Sequence, residues 1–181
     1  MKSRRQTTPA RGARSIAVTL ALLVLSSTIS IRAGGNEKAG ADAEFLTKAV
    51  PGIAASVKII DYAVTHASDA RVREFAGRVL KQHKESVETA SAHAKRLNIA
   101  LATDPEKDSR EMIDKLSKLK GADVDVAFLE WLGHIHHDTT VFENEVNNGA
   151  DPDLKAYAKN SITAGNEHLN EAHELLAKLR K

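Results

Sequence analysis

The sequence predicts an all-α protein with a single domain. Ala, Leu, Lys and Glu are plentiful, whereas the 181 residues include only four Phe, two Tyr and one Trp. Strands favour aromatic and β-branched side chains, so this composition favours helices. Apolar residues recur at intervals of three and four along most of the chain, which is the spacing of amphipathic helices. A chain of this length can bury one substantial core but not two.

The N-terminal 33 residues differ from the rest of the chain. They hold six basic residues and no acidic one around an apolar run over residues 16–31. This pattern predicts a secretory signal peptide over residues 1–33, with an uncleaved N-terminal anchor as the alternative. The run is shorter than the roughly 20 apolar residues that span a bilayer. Ser3-Arg4-Arg5 suggests a twin-arginine signal, but the residues that follow lack the apolar pair that completes one.

Removal of this leader changes the charge of the protein. The full chain has a net charge of +2, whereas 20 basic and 24 acidic residues remain after residue 33, which gives about −4. We therefore expect no nucleic-acid partner. The chain has no cysteine, which excludes disulfides, thiol catalysis and thiolate metal sites. We expect a protein of the periplasm or cell envelope with no spanning helix in the mature chain, whose partner is an envelope protein or a second copy.

The helical domain is predicted over residues 42–181, after a flexible lead at 34–41 that is rich in Gly and Ala. Its first apolar stripe extends from Leu46 to Ala67. Pro51 interrupts this stripe, and proline removes a backbone donor and clashes with the preceding turn. We therefore expect a kink there, with the main helix over about 52–67.

The second predicted helix follows a short break. Ser68-Asp69 offers a cap, and the next apolar stripe covers 72–97. So short a connection predicts antiparallel neighbours. The pattern lapses after Asn98, and Asp104-Pro105 then starts a short helix that stops by Gly121.

Two further helices complete the domain. The third is predicted from Ala122 or Asp123 to Val146 and is followed by the stop signal Asn147-Asn148-Gly149. The fourth begins at Asp151-Pro152-Asp153, with acidic side chains at the positive end of the helix, and extends to Leu179.

The connection between the second and third helices is long. The second helix measures about 43 Å at roughly 1.5 Å per residue, and residues 98–122, with their own short helix, can return along it. Such a crossover distinguishes ferritin-like bundles from simple up-down-up-down bundles. The sequence thus predicts a ferritin-like four-helix bundle with a long second-to-third helix crossover that contains a short extra helix.

The stretch HIHHD at 134–138 combines three histidines and an aspartate. Only residues three or four apart share a helix face, so adjacent histidines must diverge. Helical phase places His136 at the edge of the apolar stripe and turns His134 and His137 outward. A polar ridge is predicted from Glu130, His134 and Asp138. Surface positions near helix ends or on polar flanks are predicted for His66, His93 and His173.

Three histidines lie on the predicted inner faces of three different helices, namely His83, His136 and His168. Imidazole suits Zn, Cu, Ni or Fe, and three such ligands can form a site with one open position. Glu167 and Glu171 could then be the carboxylates that orient these rings through hydrogen bonds, with a solvated helix face as the alternative for both. The alternative is that the three are core histidines, satisfied by Ser, Thr or carboxylate partners.

Four stretches, in this order and spacing, resemble a known family: FLTKAVPG at 45–52, ASDARVREFAGRVLKQH at 67–83, DVAFLEWLGHIHHD at 125–138 and DPDLKAYAKNSITAGNEHL at 151–169. The family is the exported bacterial domain-of-unknown-function family 4142, whose members are often named outer membrane proteins. The resemblance implies a ferritin-like fold and an envelope location. It also implies that His83, His136 and His168 match the characteristic histidines of the family, but it implies no established activity.

The sequence departs from di-iron bundles, which place Glu-x-x-His on two helices. The residues three positions before His83, His136 and His168 are Leu80, Gly133 and Gly165. We therefore expect no carboxylate-bridged di-iron or di-manganese centre. Glutamates common in the first helix of the family are replaced here by Ser56 and Lys58.

These features predict an exported, non-catalytic bundle that acts in the cell envelope as a stress-related binding or interaction module. The chain has no glycine-rich phosphate loop and no nucleophile elbow, so we expect no enzyme. The first alternative is a protein that binds a single Zn, Cu, Ni or Fe ion through the inward histidines. The second alternative is a metal-dependent redox enzyme.

Overall fold

The computed structural model describes residues 33–101, 104–137 and 139–181, and its regular structure over these ranges is helical. The all-α prediction is therefore confirmed, whereas the predicted signal peptide lies almost wholly outside the described residues. The helices are α1 (Ala33–His66), α2 (Ala70–Arg96), α3 (Pro105–Ser117), α4 (Ala122–His137), α5 (Thr140–Asn148) and α6 (Pro152–Leu179).

Aspartate side chains begin three of these helices, as the sequence predicts. Asp69 accepts a hydrogen bond from the backbone N–H of Arg71 at 2.7 Å at the start of α2. Asp104 and Asp151 cap α3 and α6 in the same way, and each is followed by a proline in the first turn. These caps satisfy backbone donors that have no partner within the helix.

Two helix boundaries differ from the predictions. Residues 34–41, expected as a flexible lead, lie within α1, which also continues through Pro51. Leu46 and Val50 on one side of the proline and Ala55 on the other are buried. This burial on both sides outweighs the local cost of the missing backbone donor.

The predicted third helix is divided into α4 and α5, which begins after Thr139. Thr139 is the N-cap residue of α5, and the two β-branched threonines at 139 and 140 lower the helix propensity of this stretch. The break lies directly after the HIHHD histidines, so His136 belongs to the last turn of α4.

Two apolar clusters, one near each end of the bundle, define the topology. The first joins the end of α1 to the starts of α2 and α4 and the end of α6. The second joins the start of α1 to the end of α2, to α5 and to the start of α6. Since α2 ends at the second cluster and α4 starts at the first, the chain between them crosses the length of the bundle. This confirms the predicted crossover, whose short helix α3 packs against α1.

Buried aspartates join the chain turns to distant helices. Asp125 of α4, 1% exposed, accepts hydrogen bonds from the backbone N–H groups of Ser68 at 2.7 Å and Asp69 at 2.9 Å. At the opposite end, Asp42 of α1 accepts from the backbone N–H of Ala150 at 2.7 Å. Each bond fixes a turn to the helix beside it, because unpaired buried backbone groups are costly.

Glu145 of α5 is buried beside Asp42. Both of its carboxyl oxygens are inaccessible to solvent, and neither has a donor partner among the described residues. Burial, and then the charge of Asp42, raise the pKa of Glu145 to about 7. A Cβ atom at Gly149 would overlap Oε1 of Glu145 and lie 2.7 Å from its carbonyl oxygen, so only glycine leaves room for this carboxyl group.

Within the described ranges, no helix is both long and apolar enough to cross a membrane.

Candidate metal centre

The three histidines with predicted inward phase converge between the two apolar clusters. His83 of α2, His136 of α4 and His168 of α6 each offer one ring nitrogen, and these nitrogens all lie within 4.8 Å of one another. The ring centroids are separated by 4.9 Å, 5.4 Å and 5.7 Å. His83 and His168 are buried and His136 is half-buried, whereas His134 and His137 are exposed. Helical phase therefore separated the inner and outer histidines of the HIHHD stretch correctly.

A serine on α1 sets the tautomer of His83. Oγ of Ser56 lies 2.7 Å from the carbonyl oxygen of Ile53 and 2.7 Å from Nδ1 of His83. A carbonyl oxygen can only accept, so the single hydroxyl proton of Ser56 is donated to Ile53. Nδ1–H of His83 therefore donates to Ser56, and Nε2 of His83 carries the lone pair that can bind a metal ion.

A glutamine sets the tautomer of His168 in a similar way. Oε1 of Gln82 lies 2.5 Å from Nε2 of His168 and accepts its proton. The lone pair of His168 is then on Nδ1, which lies 3.2 Å from Nε2 of His136. Two facing nitrogens at this distance can share one proton, donated by His136, or both can bind one metal ion in its place.

A glycine on α6 makes room for the third ring. A Cβ atom at Gly165 would lie 3.0 Å from Nδ1 of His136, which is closer than a side-chain carbon normally approaches. Gly165 therefore allows the imidazole of His136 to lie against the backbone of α6. This close approach brings Nε2 of His136 to His168.

The electrostatic environment keeps the three rings neutral. Burial, and then the neighbouring histidines, lower the pKa of His83 to about 3. Burial, and then His168, lower the pKa of His136 to about 4. Burial also lowers the pKa of His168, against an opposing effect of Glu167. Neutral imidazole is the form that binds metal ions, so no proton has to leave a charged ring first.

The sequence model of DUF4142, a domain of unknown function, matches residues 30–175. The chain belongs to the DUF4142 family. No curated protein matches it significantly. The fold of this DUF4142 protein is similar to a crystal structure described as secreted protein DUF305 from Streptomyces coelicolor. The two share 15% sequence identity with a TM-score of 0.68 over 77% of this chain and 93% of the other, which is a likeness of fold alone.

The outer partners of the histidines in this DUF4142 protein differ from the predicted ones. Glu167 is exposed, and Glu171 forms an ion pair with Arg78. The groups that hydrogen-bond to the rings are Ser56 and Gln82 instead. Arg78 of α2 pairs with the Glu171 carboxylate, and no hydrogen bond joins Glu167 or Glu171 to the three imidazoles in the described part of the chain.

The predicted polar ridge on α4 is also altered. Glu130 pairs with Arg180 at 2.6 Å rather than with His134, and Asp138 lies outside the described residues. Of the other histidines, His66 is exposed and stacks on Tyr62, whereas His93 is half-buried.

A cavity of about 530 Å³ adjoins the three histidines of the DUF4142 site. It is lined mainly by residues of α2 and α6, with others from α1, α4 and α5, and all three imidazoles contribute to its wall. His93 also lines it, although the sequence predicted a surface position for this residue. The cavity could not be predicted from the sequence, because its volume depends on how far apart two non-consecutive helices lie.

Proposed function

We propose that this DUF4142 protein binds a single transition-metal ion through His83, His136 and His168. The convergence of three neutral imidazoles from three helices, with donor nitrogens within 4.8 Å of one another, carries the proposal. Three nitrogen ligands with an open position are a common arrangement for zinc, and imidazole also suits copper, nickel and iron. The protein would act by binding or sequestering the ion.

The arrangement of the hydrogen bonds favours a metal site over a set of ordinary core histidines. In an ordinary core, each ring would be satisfied by Ser, Thr or carboxylate partners. Here Ser56 and Gln82 take up the outer nitrogens of two rings. Nε2 of His83 has no hydrogen-bond partner in the part of the chain that the structure describes, and Nδ1 of His168 faces only another imidazole.

The composition of the cluster supports a role in binding rather than catalysis. Bridged two-metal centres need carboxylates from the same helices, and this cluster contains imidazoles only. An exported location is part of the proposal. It is supported by the basic and apolar character of residues 1–33 and by the similarity of fold to a protein described as secreted.

Elemental analysis tests the proposal directly. The protein would be purified without a histidine tag, incubated with Zn²⁺, Cu²⁺, Ni²⁺ or Co²⁺, and freed of unbound ions by gel filtration. We expect about one ion per chain for at least one of these metals, because the ligands are already deprotonated and gathered. Less than about a tenth of an ion per chain with every metal would overturn the proposal.

Replacing Ser56 by alanine should weaken the affinity for the ion by roughly 10- to 100-fold, the usual cost of losing a group that orients a ligand histidine. The variant retains all three imidazoles, but the proton of His83 is no longer held on Nδ1 by Ser56. The measurement is a competition titration against a chelator of known affinity. Thr47→Ala is the matched control, because Thr47 is exposed on the same helix and bonds only to its own backbone. Equal affinities in the two variants would contradict the assigned role of Ser56.

A further inference from the structure

The cavity beside the histidines has the size of a ligand site. Its volume of about 530 Å³ lies within the roughly 300–1,000 Å³ typical of small-molecule sites. Since all three imidazoles form part of its wall, an ion bound to them would border the cavity. The remaining coordination position of that ion is therefore accessible to a molecule in the cavity.

The cavity wall combines apolar and polar side chains. Its half-buried apolar side chains come from α1, α4, α5 and α6, and they are Ile53, Ile135, Phe142 and Ile162. Ser86 and Tyr157 both line it, and their hydroxyl groups are joined by a hydrogen bond of 2.6 Å. Burial raises the pKa of Tyr157, so its hydroxyl stays neutral. Such a wall suits a molecule with an apolar body and one polar end.

The charge of the metal-loaded site determines whether the polar end of the ligand is neutral or anionic. Three neutral imidazoles leave both positive charges of a divalent ion uncompensated, and the cluster contains no carboxylate. An uncompensated charge in a buried site is costly, so an anionic fourth ligand is favoured. The carboxylates among the described residues that line the cavity are Glu85 and Asp153, which are exposed and lie 3.9 Å from the cationic groups of Lys81 and Arg96, respectively. No lysine or arginine is among these lining residues, so the ion itself would be the attraction for an anion.

We propose that the metal-loaded protein binds a small organic monocarboxylate, with the carboxylate on the ion and the apolar body in the cavity. This inference rests on the proposed function, since the ion supplies the positive charge.

The cobalt-loaded protein offers a direct test, because the visible absorption of Co²⁺ changes when its ligands change. Benzoate is the probe, and benzamide is a neutral molecule of nearly the same shape. We expect benzoate to shift the cobalt bands in a saturable way and benzamide to leave them unchanged. Cobalt binding without any response to benzoate would overturn this inference while leaving the proposed function intact. Failure to bind cobalt or any other ion would overturn both.

A second experiment tests the role of the cavity separately from that of the ion. Thr89 is exposed on α2 and lines the cavity, so Thr89→Trp should fill part of it without disturbing the core. Glu88→Trp is the control, because Glu88 is the adjacent exposed residue and does not line this cavity. We expect Thr89→Trp to weaken benzoate binding at least about tenfold with unchanged Co²⁺ affinity. Equal benzoate affinity in both variants would show that any anion reaches the ion, and would overturn a site in the cavity.

Discussion

Replacing His136 by alanine is expected to lower the affinity for Zn²⁺ or Cu²⁺ by at least about a hundredfold, more than the loss of an orienting group costs. His136 supplies one of the three converging nitrogens. His134, two positions earlier on the same helix, is exposed, so His134→Ala should bind the ion as tightly as the wild type. The two variants remove the same side chain from opposite faces of α4, which makes them a matched pair for competition titrations.

Thermal unfolding with and without the ion distinguishes loss of binding from loss of structure. A ligand at a hundred times its Kd stabilises the folded protein by about 2.7 kcal/mol, which raises Tm. We expect this increase for the wild type and His134→Ala, and no increase for His136→Ala. The more conservative His136→Gln is a second variant, should the alanine variant fold poorly. Equal metal affinities of His136→Ala and His134→Ala would contradict the site.

Glu145 is expected to make the stability of the folded protein depend on pH. Relative to Glu145→Gln, the wild type is expected to lose stability as the pH rises from about 4.5 to 8. The pKa of Glu145 is raised from 4.5 to about 7, so the folded protein holds a proton that the unfolded chain has released. Each pKa unit corresponds to about 1.4 kcal/mol, which sets an upper limit of about 3 kcal/mol on the loss.

The charged groups around Glu145 all bear on this prediction. Asp42 of α1 and Asp151 at the start of α6 raise its pKa, whereas Lys155 lowers it. Asp151 is itself paired with Arg96 of α2 at 2.6 Å, which leaves Asp42 as the dominant neighbouring charge. Glu145→Gln places a neutral amide of nearly the same shape at this position, so this side chain gains no charge as the pH rises.

Urea unfolding at pH 5, 6, 7 and 8 measures the difference between the two proteins. The histidines contribute equally to both, so their titration cancels in the comparison. Glu143→Gln is the control, because Glu143 is exposed on the same helix and should leave the pH dependence unchanged. Parallel stability curves for the wild type and Glu145→Gln would show that Glu145 does not hold its proton in the folded state.

Much of the fold could be predicted because its signals are local. Aspartate caps, proline positions and apolar spacing depend on neighbouring residues, and they located the starts of α2, α3 and α6 correctly. The length of the connection after Asn98 predicted the crossover in the same way. The extension of α1 through Pro51 was missed, because burial on both sides of the proline outweighed its local preference.

For the candidate site, the sequence predicted which histidines point inward but not whether they meet. Helical phase shows that His136 points inward, but it gives no depth along the bundle and no rotation of one helix against another. Ser56 lies in phase with the apolar stripe of α1, so a polar residue on an inner face was the available signal for it. Gln82 is exposed beside His83 and carried no such signal, since its bond to His168 depends on how α2 and α6 align.

The crossover also affects when an ion can be captured. His83 precedes it, whereas His136 and His168 follow it, so the three rings meet only after the chain has crossed the bundle and α6 has packed. Contacts between residues far apart in sequence form late, because long loops are costly to close. In an unfolded chain, by contrast, the histidines of HIHHD are free to act together as a short-range chelator. Folding separates these neighbouring histidines onto different faces of α4 and brings His83, His136 and His168 together. We therefore expect tight metal binding only once the tertiary structure is complete.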